Sequence, residues 1–190
     1  MATPLTHAAA AVVLGKILLP RQMPWKFWIA AVVVAVLPDL DTAGMRLGVP
    51  YASMFGHRGF FHSLLFVTLL SLVAAVIVSG PKWMSRPRLG VWLVLLAGAA
   101  THPLLDMLTN GGYGVALFSP FDTARYFFPW QPLAVSPIGI RAFLSARGAE
   151  VIVSEVLVVW LPAIALAALA RGVAWAVGRL RRHGRDGELP

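Results

Sequence analysis

Residues 89–108 read LGVWLVLLAGAATHPLLDML. Up to Ala100 the only polar side-chain atom in the stretch is the indole nitrogen of Trp92. Twenty residues of this kind rise about 30 Å as an α-helix, the thickness of a bilayer hydrocarbon core. The last turn then carries His102 and Asp106, four residues apart and so on one helix face. Ionisable side chains at the end of an apolar span are costly there and mark function by default. Pro103 between them predicts a kink or short break near His102.

Working outward, four more apolar segments appear: 5–19, 24–37, 63–79 and 151–170, the last extending toward Val177. The whole chain agrees, with 58% hydrophobic and 13% charged residues among 190 and a mean hydropathy of +0.76. A soluble domain carries about a quarter charged residues, so a water-soluble globule and a disordered chain are both excluded. The expected fold is all-α, a polytopic membrane helical bundle of about five helices. One domain covers 1–178, and a basic tail follows at 179–190. Segments 5–19 and 24–37 hold only 15 and 14 residues, about 21–23 Å of helix, and fall short of a full crossing. Between the fourth and fifth segments, Pro120, Pro129, Pro132 and Pro137 forbid a long helix,. Residues 113–147 also carry Tyr113, Phe118, Phe121, Tyr126, Phe127, Phe128, Trp130 and Phe143, an aromatic interfacial segment suited to the headgroup layer,.

The net charge is +8 and the isoelectric point about 11.1. In this chain the basic residues lie between apolar runs and in the tail, which is membrane topology rather than nucleic-acid binding. If the five segments alternate across the membrane, 11 of the 16 Lys and Arg fall on one side. That side is cytoplasmic by the positive-inside rule, with the C-terminus inside and the N-terminus outside. Met1–His7 has no basic stretch, so no cleavable signal is expected. Membrane lipid is the expected partner. The chain has no cysteine, which removes thiolate ligands and nucleophiles,. Six of the eight acids and four of the five histidines fall on the other, outer face, from separate helices.

Those residues form four groups. His7 follows Thr6 at the start of the first segment. Asp39 and Asp41, in Pro38-Asp39-Leu40-Asp41, end the second and point to one side if extended. His57 and His62 flank Arg58 in Gly56-His57-Arg58-Gly59-Phe60-Phe61-His62-Ser63, with Gly59 free to turn the chain between them. His102 and Asp106 close the fourth. Each has a plainer reading: a His–Asp pair locking two helices, an Asx turn, histidines at a membrane interface. Together they suit divalent metal. Seven N/O donors (His7, Asp39, Asp41, His57, His62, His102 and Asp106) are too many for one tetrahedral zinc and would suit two ions sharing a carboxylate. Zinc comes first, and manganese or iron accept the same donors. Glu155, one turn into the fifth segment, suits a pair with Arg141 or Arg147, or an outer partner of a ligand.

Thr6-His7, the Leu37–Asp41 helix end, the 56–63 block, Thr101-His102-Pro103-Leu104-Leu105-Asp106, Leu108–Gly112 and Phe118-Ser119-Pro120 together resemble a known family over about residues 1–140. It is the bacterial inner-membrane metal-dependent hydrolase family, also described as LexA-regulated or LexA-binding. The resemblance implies a hydrolase in the inner membrane and names no substrate. On the chain's own residues, the expected chemistry is metal-assisted hydrolysis of a phospholipid or other amphiphilic phosphoester or ester. Arg58 and Arg125 would balance charge on the reacting oxygen, and Asp39 or Asp41, if not a ligand, would act as general base. The same residues also suit metal-ion or proton transport, or a non-catalytic membrane protein stapled by metal.

Overall fold

The computed structural model describes residues 1–19, 22–80 and 86–186. Arg21, Lys82 and Glu188, which entered the sidedness argument, lie outside the described residues. So do the side chains of Arg86, Arg88, Arg181, Arg182, His183, Arg185 and Asp186.

Helix α1 spans Pro4–Leu18. Its start follows from local chemistry: the Thr3 hydroxyl accepts from the Thr6 amide, and Pro4, which lacks an N–H, takes the first turn,. Helix α2 spans Trp25–Val36 and runs on into a 3₁₀ turn, Leu37–Asp41, and a short helix α3, Thr42–Arg46. Helix α4, Leu64–Ser79, is capped by the Ser63 hydroxyl on the Phe66 amide and stopped by Gly80 at a φ of 67°. Helix α5 spans Arg86–Met107 with Pro103 inside it. After a long irregular stretch come α6, Ile140–Phe143, and α7, Ala146–Glu155. A π-helical turn, Val156–Trp160, then leads into α8, Leu161–Asp186. Among the described residues there is no strand, only isolated bridges pairing Thr109 with Leu133 and Val115 with Tyr126.

Helices α1, α2, α4 and α5 pack against one another, with Phe27, Val34, Val67, Leu95 and Ala99 at the centre. Small residues set the spacing. A Cβ on Gly98 of α5 would lie 3.2 Å from Ala11 Cβ of α1, so these two backbones meet closely only because Gly98 has none,. The α7–α8 rod packs chiefly on α1 and leaves Leu161, Ile164, Leu169 and Val173 exposed. A run of exposed large apolar side chains fits lipid contact, not water. Three stretches are long and apolar enough to cross a membrane: Trp25–Arg46, Leu89–Met107 and Ala146–Val177, while Pro4–Leu18 and Leu64–Ser79 are shorter.

This is the all-helical membrane bundle expected, with three differences in detail. The second segment is longer than its apolar run, because the 3₁₀ turn and α3 continue it to Arg46. Helix α5 passes Pro103 without a break. Helix α8 continues through Asp186, so most of the basic stretch read as a tail is helical.

The proline-rich connection between α5 and α6 is tied down at many points. Asn110 donates to Leu133, Ala116 to Arg58, Phe128 to Met107, Leu64 to Leu117, and Ser136 to Met1. It therefore crosses the end of the bundle where α1 begins and α5 stops. Leu133 and Val115 are buried beneath it, and Phe121 and Trp130 stand outward.

Candidate metal centre

Under that cover the four groups of acids and histidines meet. His7 comes from the first turn of α1, Asp39 from the 3₁₀ turn after α2, His62 from just before α4, and His102 and Asp106 from the end of α5. Four of them, Asp39, His62, His102 and Asp106, offer ligand atoms that all lie within 4.8 Å of one another. His62 Nε2 and His102 Nε2 are 3.0 Å apart. Asp39 Oδ1 lies 3.6 Å from His62 Nε2 and 3.5 Å from His102 Nε2, and Asp106 Oδ2 lies 3.5 Å from His62 Nε2. His7 Nε2 approaches Asp106 Oδ1 to 3.5 Å and Asp39 Oδ2 to 4.0 Å, and its ring stacks on His102 at 3.8 Å between centroids.

Donors bound at 2.0–2.1 Å to one tetrahedral ion sit about 3.3–3.4 Å from each other. The observed separations have that size. They are too long for hydrogen bonds in most pairs, and both His7 nitrogens, both Asp39 oxygens and Asp106 Oδ2 have no hydrogen-bond partner,. Buried polar atoms left unpaired cost several kcal/mol in an apolar medium, roughly 2–7 kcal/mol each. A divalent cation would engage His7 Nε2, the Asp39 carboxylate and Asp106 Oδ2 at once, so the donor set fits one.

The neighbouring groups orient these donors. His102 Nδ1 donates to the Ala35 carbonyl at 2.6 Å, which leaves its Nε2 lone pair facing the centre,. Asp41 accepts from His57 Nδ1 at 2.6 Å and from the Arg58 amide at 3.1 Å, and lies 3.1 Å from His62 Nδ1. Asp41, His57 and His62 form a second group of metal-ligand type that shares His62 with the first. Asp41 and His57 already partner each other there, while His62 Nδ1 has no hydrogen-bond partner. Burial disfavours the charged His62 ring, but Asp39, Asp41 and Asp106 around it outweigh burial and raise its pKa to about 9.

Asp39 and Asp41 do not share a side as an extended chain would place them. In a 3₁₀ turn, at three residues per turn, residues two apart point about 120° apart, and each acid serves a different group,. Left-handed backbone falls on Arg58, at a φ of 61°, and not on Gly59. Gly59 is there for space: a Cβ would lie 2.1 Å from the Met54 carbonyl oxygen.

The two arginines expected to face a reacting oxygen are held among carbonyls instead. Arg58, fully buried, places Nε 3.2 Å from Asp106 Oδ2 and donates to Gly111 O, Tyr113 O and Thr109 Oγ1. Arg125 donates to the carbonyls of His57, Gly114, Tyr51 and Ser53.

Glu155 meets neither Arg141 nor Arg147. Arg147 pairs with Glu150 at 2.9 Å. The Glu155 carboxyl accepts from the Thr3 amide, from Thr3 Oγ1 at 2.6 Å and from Thr6 Oγ1 at 2.6 Å, beside His7. Trp160 Nε1 adds a bond to Thr6 Oγ1 at 2.7 Å. Sequence reasoning missed Thr3, Thr109 and Trp160. The Thr3-Pro4 pair is a helix-start signature that would have placed Thr3 and Thr6 on the turn carrying His7.

The profile of the YdjM inner membrane protein family matches residues 1–178. The chain belongs to that family. Inner membrane protein YbcI of Escherichia coli strain K12 is 37% identical over 175 residues, 92% of this chain and 98% of that protein. Inner membrane protein YdjM, of Escherichia coli strain K12 and of Shigella flexneri, is 36% identical over 95 residues, 46% of this chain and 47% of YdjM. No solved structure matches. As a member of the YdjM family, the chain is a bacterial inner membrane protein with helices that could cross the bilayer.

Proposed function

We propose that this YdjM-family protein is a membrane-embedded metal-dependent hydrolase acting on an amphiphilic phosphoester or ester, phospholipid being the simplest. The observation that carries the reading is the convergence of unpartnered, buried His and Asp atoms at metal-ligand spacing. His7, Asp39, His62, His102 and Asp106 would hold one divalent ion, zinc first, with manganese or iron as alternatives. Such an ion supplies Lewis acidity and a nucleophilic water near neutral pH. A single ion is favoured over two, because Asp41 and His57 are already each other's partners.

The chain's own residues do the rest. The Ala35 carbonyl fixes the ring of His102, and Asp41 lies 3.1 Å from His62 Nδ1. Arg58 holds Asp106 in place and sets positive charge behind it. Asp39 Oδ1 faces His62 and His102, so this carboxylate would serve as a ligand and not as the general base,. We place the centre at the outer face, under the aromatic cover, because the basic residues favour the opposite end. Single cysteines at Thr42 and Arg86 should then label from opposite sides of the membrane.

Metal content of detergent-purified protein tests the centre. Stoichiometric metal in the wild type, absent from folded His102→Ala and Asp106→Ala, supports it; none after reconstitution with zinc, manganese and iron ends it. Lipid phosphoesters in mixed micelles, beside soluble phosphoesters, test the substrate. Turnover of soluble phosphoesters but of no lipid would remove the amphiphile.

One observation favours a second reading. Every donor residue is 0% exposed except Asp39, at 5%. A centre so enclosed also suits a metal that staples short helices without catalysis. Cobalt substitution separates the two: a visible spectrum that responds to added small anions reports an exchangeable position, and an unresponsive one reports a staple.

A further inference from the structure

At the end of the bundle away from the centre, a groove of about 670 Å³ lies between α1 and α8. Its walls are apolar, with Val12, Val13 and Ile17 on α1 and Ala167, Ala170 and Ala174 on α8. The alanines recur every three or four residues, so one smooth face of α8 looks into the groove. Two cations join that lining, Lys16 from α1 and Arg171 from α8, with Gln22 beside them and no acid. Helix α1 has no acidic residue, and α8 has none before Asp186. The Lys16 ammonium lies 4.3 Å over the Trp28 ring, which holds it on this side of the bundle.

The same end carries further cation–aromatic pairs, Lys26 on Trp25 at 5.9 Å and Arg179 on Trp175 at 5.2 Å. Trp with Lys or Arg at helix ends is the signature of the headgroup layer. An apolar slot topped by two cations, with no acid among its described lining residues, complements at that level a molecule with acyl chains and an anionic head. Basic pockets between transmembrane helices on the cytoplasmic side take up acidic lipid heads.

We infer that the groove between α1 and α8 binds one anionic phospholipid, its phosphate between Lys16 and Arg171 and its acyl chain along the alanine face. The lipid would complete the packing of α8, which among the described residues packs chiefly on α1 and on the turn that precedes it. The site is separate from the metal centre and does not depend on it.

The test uses lipid-stripped protein in neutral detergent, titrated with phosphatidylglycerol and, separately, phosphatidylcholine of the same chain length. Native mass spectrometry counts the lipid retained. One phosphatidylglycerol should bind per chain and phosphatidylcholine should not. Lys16→Gln/Arg171→Gln should weaken binding about thirtyfold, at roughly 1 kcal/mol for each cation near an acidic headgroup. Arg171→Lys, which keeps the charge, should bind within a fewfold of wild type, and metal content should not change in either. Equal binding of phosphatidylcholine would overturn the inference, leaving a slot filled by any acyl chain. So would wild-type affinity in the folded double variant. Displacement by millimolar glycerol phosphate would also overturn it, pointing to a soluble anion instead. Should the double variant fail to fold, Arg171→Gln alone carries the comparison, with about fivefold weakening expected.

Discussion

Replacing Glu155 by alanine would strand three donors at once: the Thr3 amide, Thr3 Oγ1 and Thr6 Oγ1. Thr3, Thr6 and Glu155 are all fully or almost fully buried. A buried donor left unsatisfied costs about 1–3 kcal/mol, so even the low end for three amounts to about 3 kcal/mol. The loss falls on the first turn of α1, one residue from His7. His7 has no hydrogen bond of its own to hold its ring, and its orientation depends on that turn. Outer partners of metal ligands are worth about 10–100-fold in metal affinity, and Glu155→Ala should cost that much. Glu155→Gln keeps one acceptor oxygen and should fall between the alanine variant and wild type. The assay is competition with a chromophoric chelator in detergent, with helical circular dichroism and thermal melting as the folding control. Glu155→Ala with wild-type metal affinity and an unchanged melt would refute the coupling of the last helix to His7.

Metal affinity should rise with pH up to about 9 and flatten above it. The raised pKa of His62 means that a cation must displace a proton below that value, at about tenfold in affinity per pH unit for one proton,; chelator competition between pH 6.5 and 9.5 reads this directly. Arg58→Lys should lose metal although the charge stays, because a single ammonium cannot span Asp106, Thr109 and the carbonyls of Gly111 and Tyr113,. A loss of about 10–100-fold is expected, and wild-type metal content after dialysis against a weak chelator would count against the clamp. Gly59→Ala touches no donor, yet the added methyl would sit 2.1 Å from a carbonyl and force the loop between His57 and His62 to move. It should lower both metal content and thermal stability, and a variant unchanged in both would show that the loop is softer than its packing suggests.

The helical segments were legible because a bilayer leaves few alternatives to long apolar runs. The ends of segments were less so. Leu37–Asp41 looked like a stop after α2, but its backbone keeps turning, and that turn decides that Asp39 and Asp41 part company. The ligand candidates could be read from residue type and predicted side of the membrane. The roles of Arg58 and Arg125 could not, because nothing in the sequence says that carbonyls of residues 51–57 and 111–114 would close around them. Glu155 shows the same limit. Its partners lie about 150 positions away, and only the packing of α7 beside the start of α1 brings them together.

That distance along the chain also sets an order of events in synthesis. His7 leaves the ribosome 148 residues before Glu155. At about 5–20 residues per second, the first helix waits roughly 7–30 s for the carboxyl group that secures its opening turn. During that interval Thr3 and Thr6 must find other acceptors, while α2 and α5 emerge and become available to pack on α1. All five candidate donors, from His7 to Asp106, are therefore synthesised before the carboxyl group that secures the first turn of α1, and that turn is the last of their surroundings to be fixed.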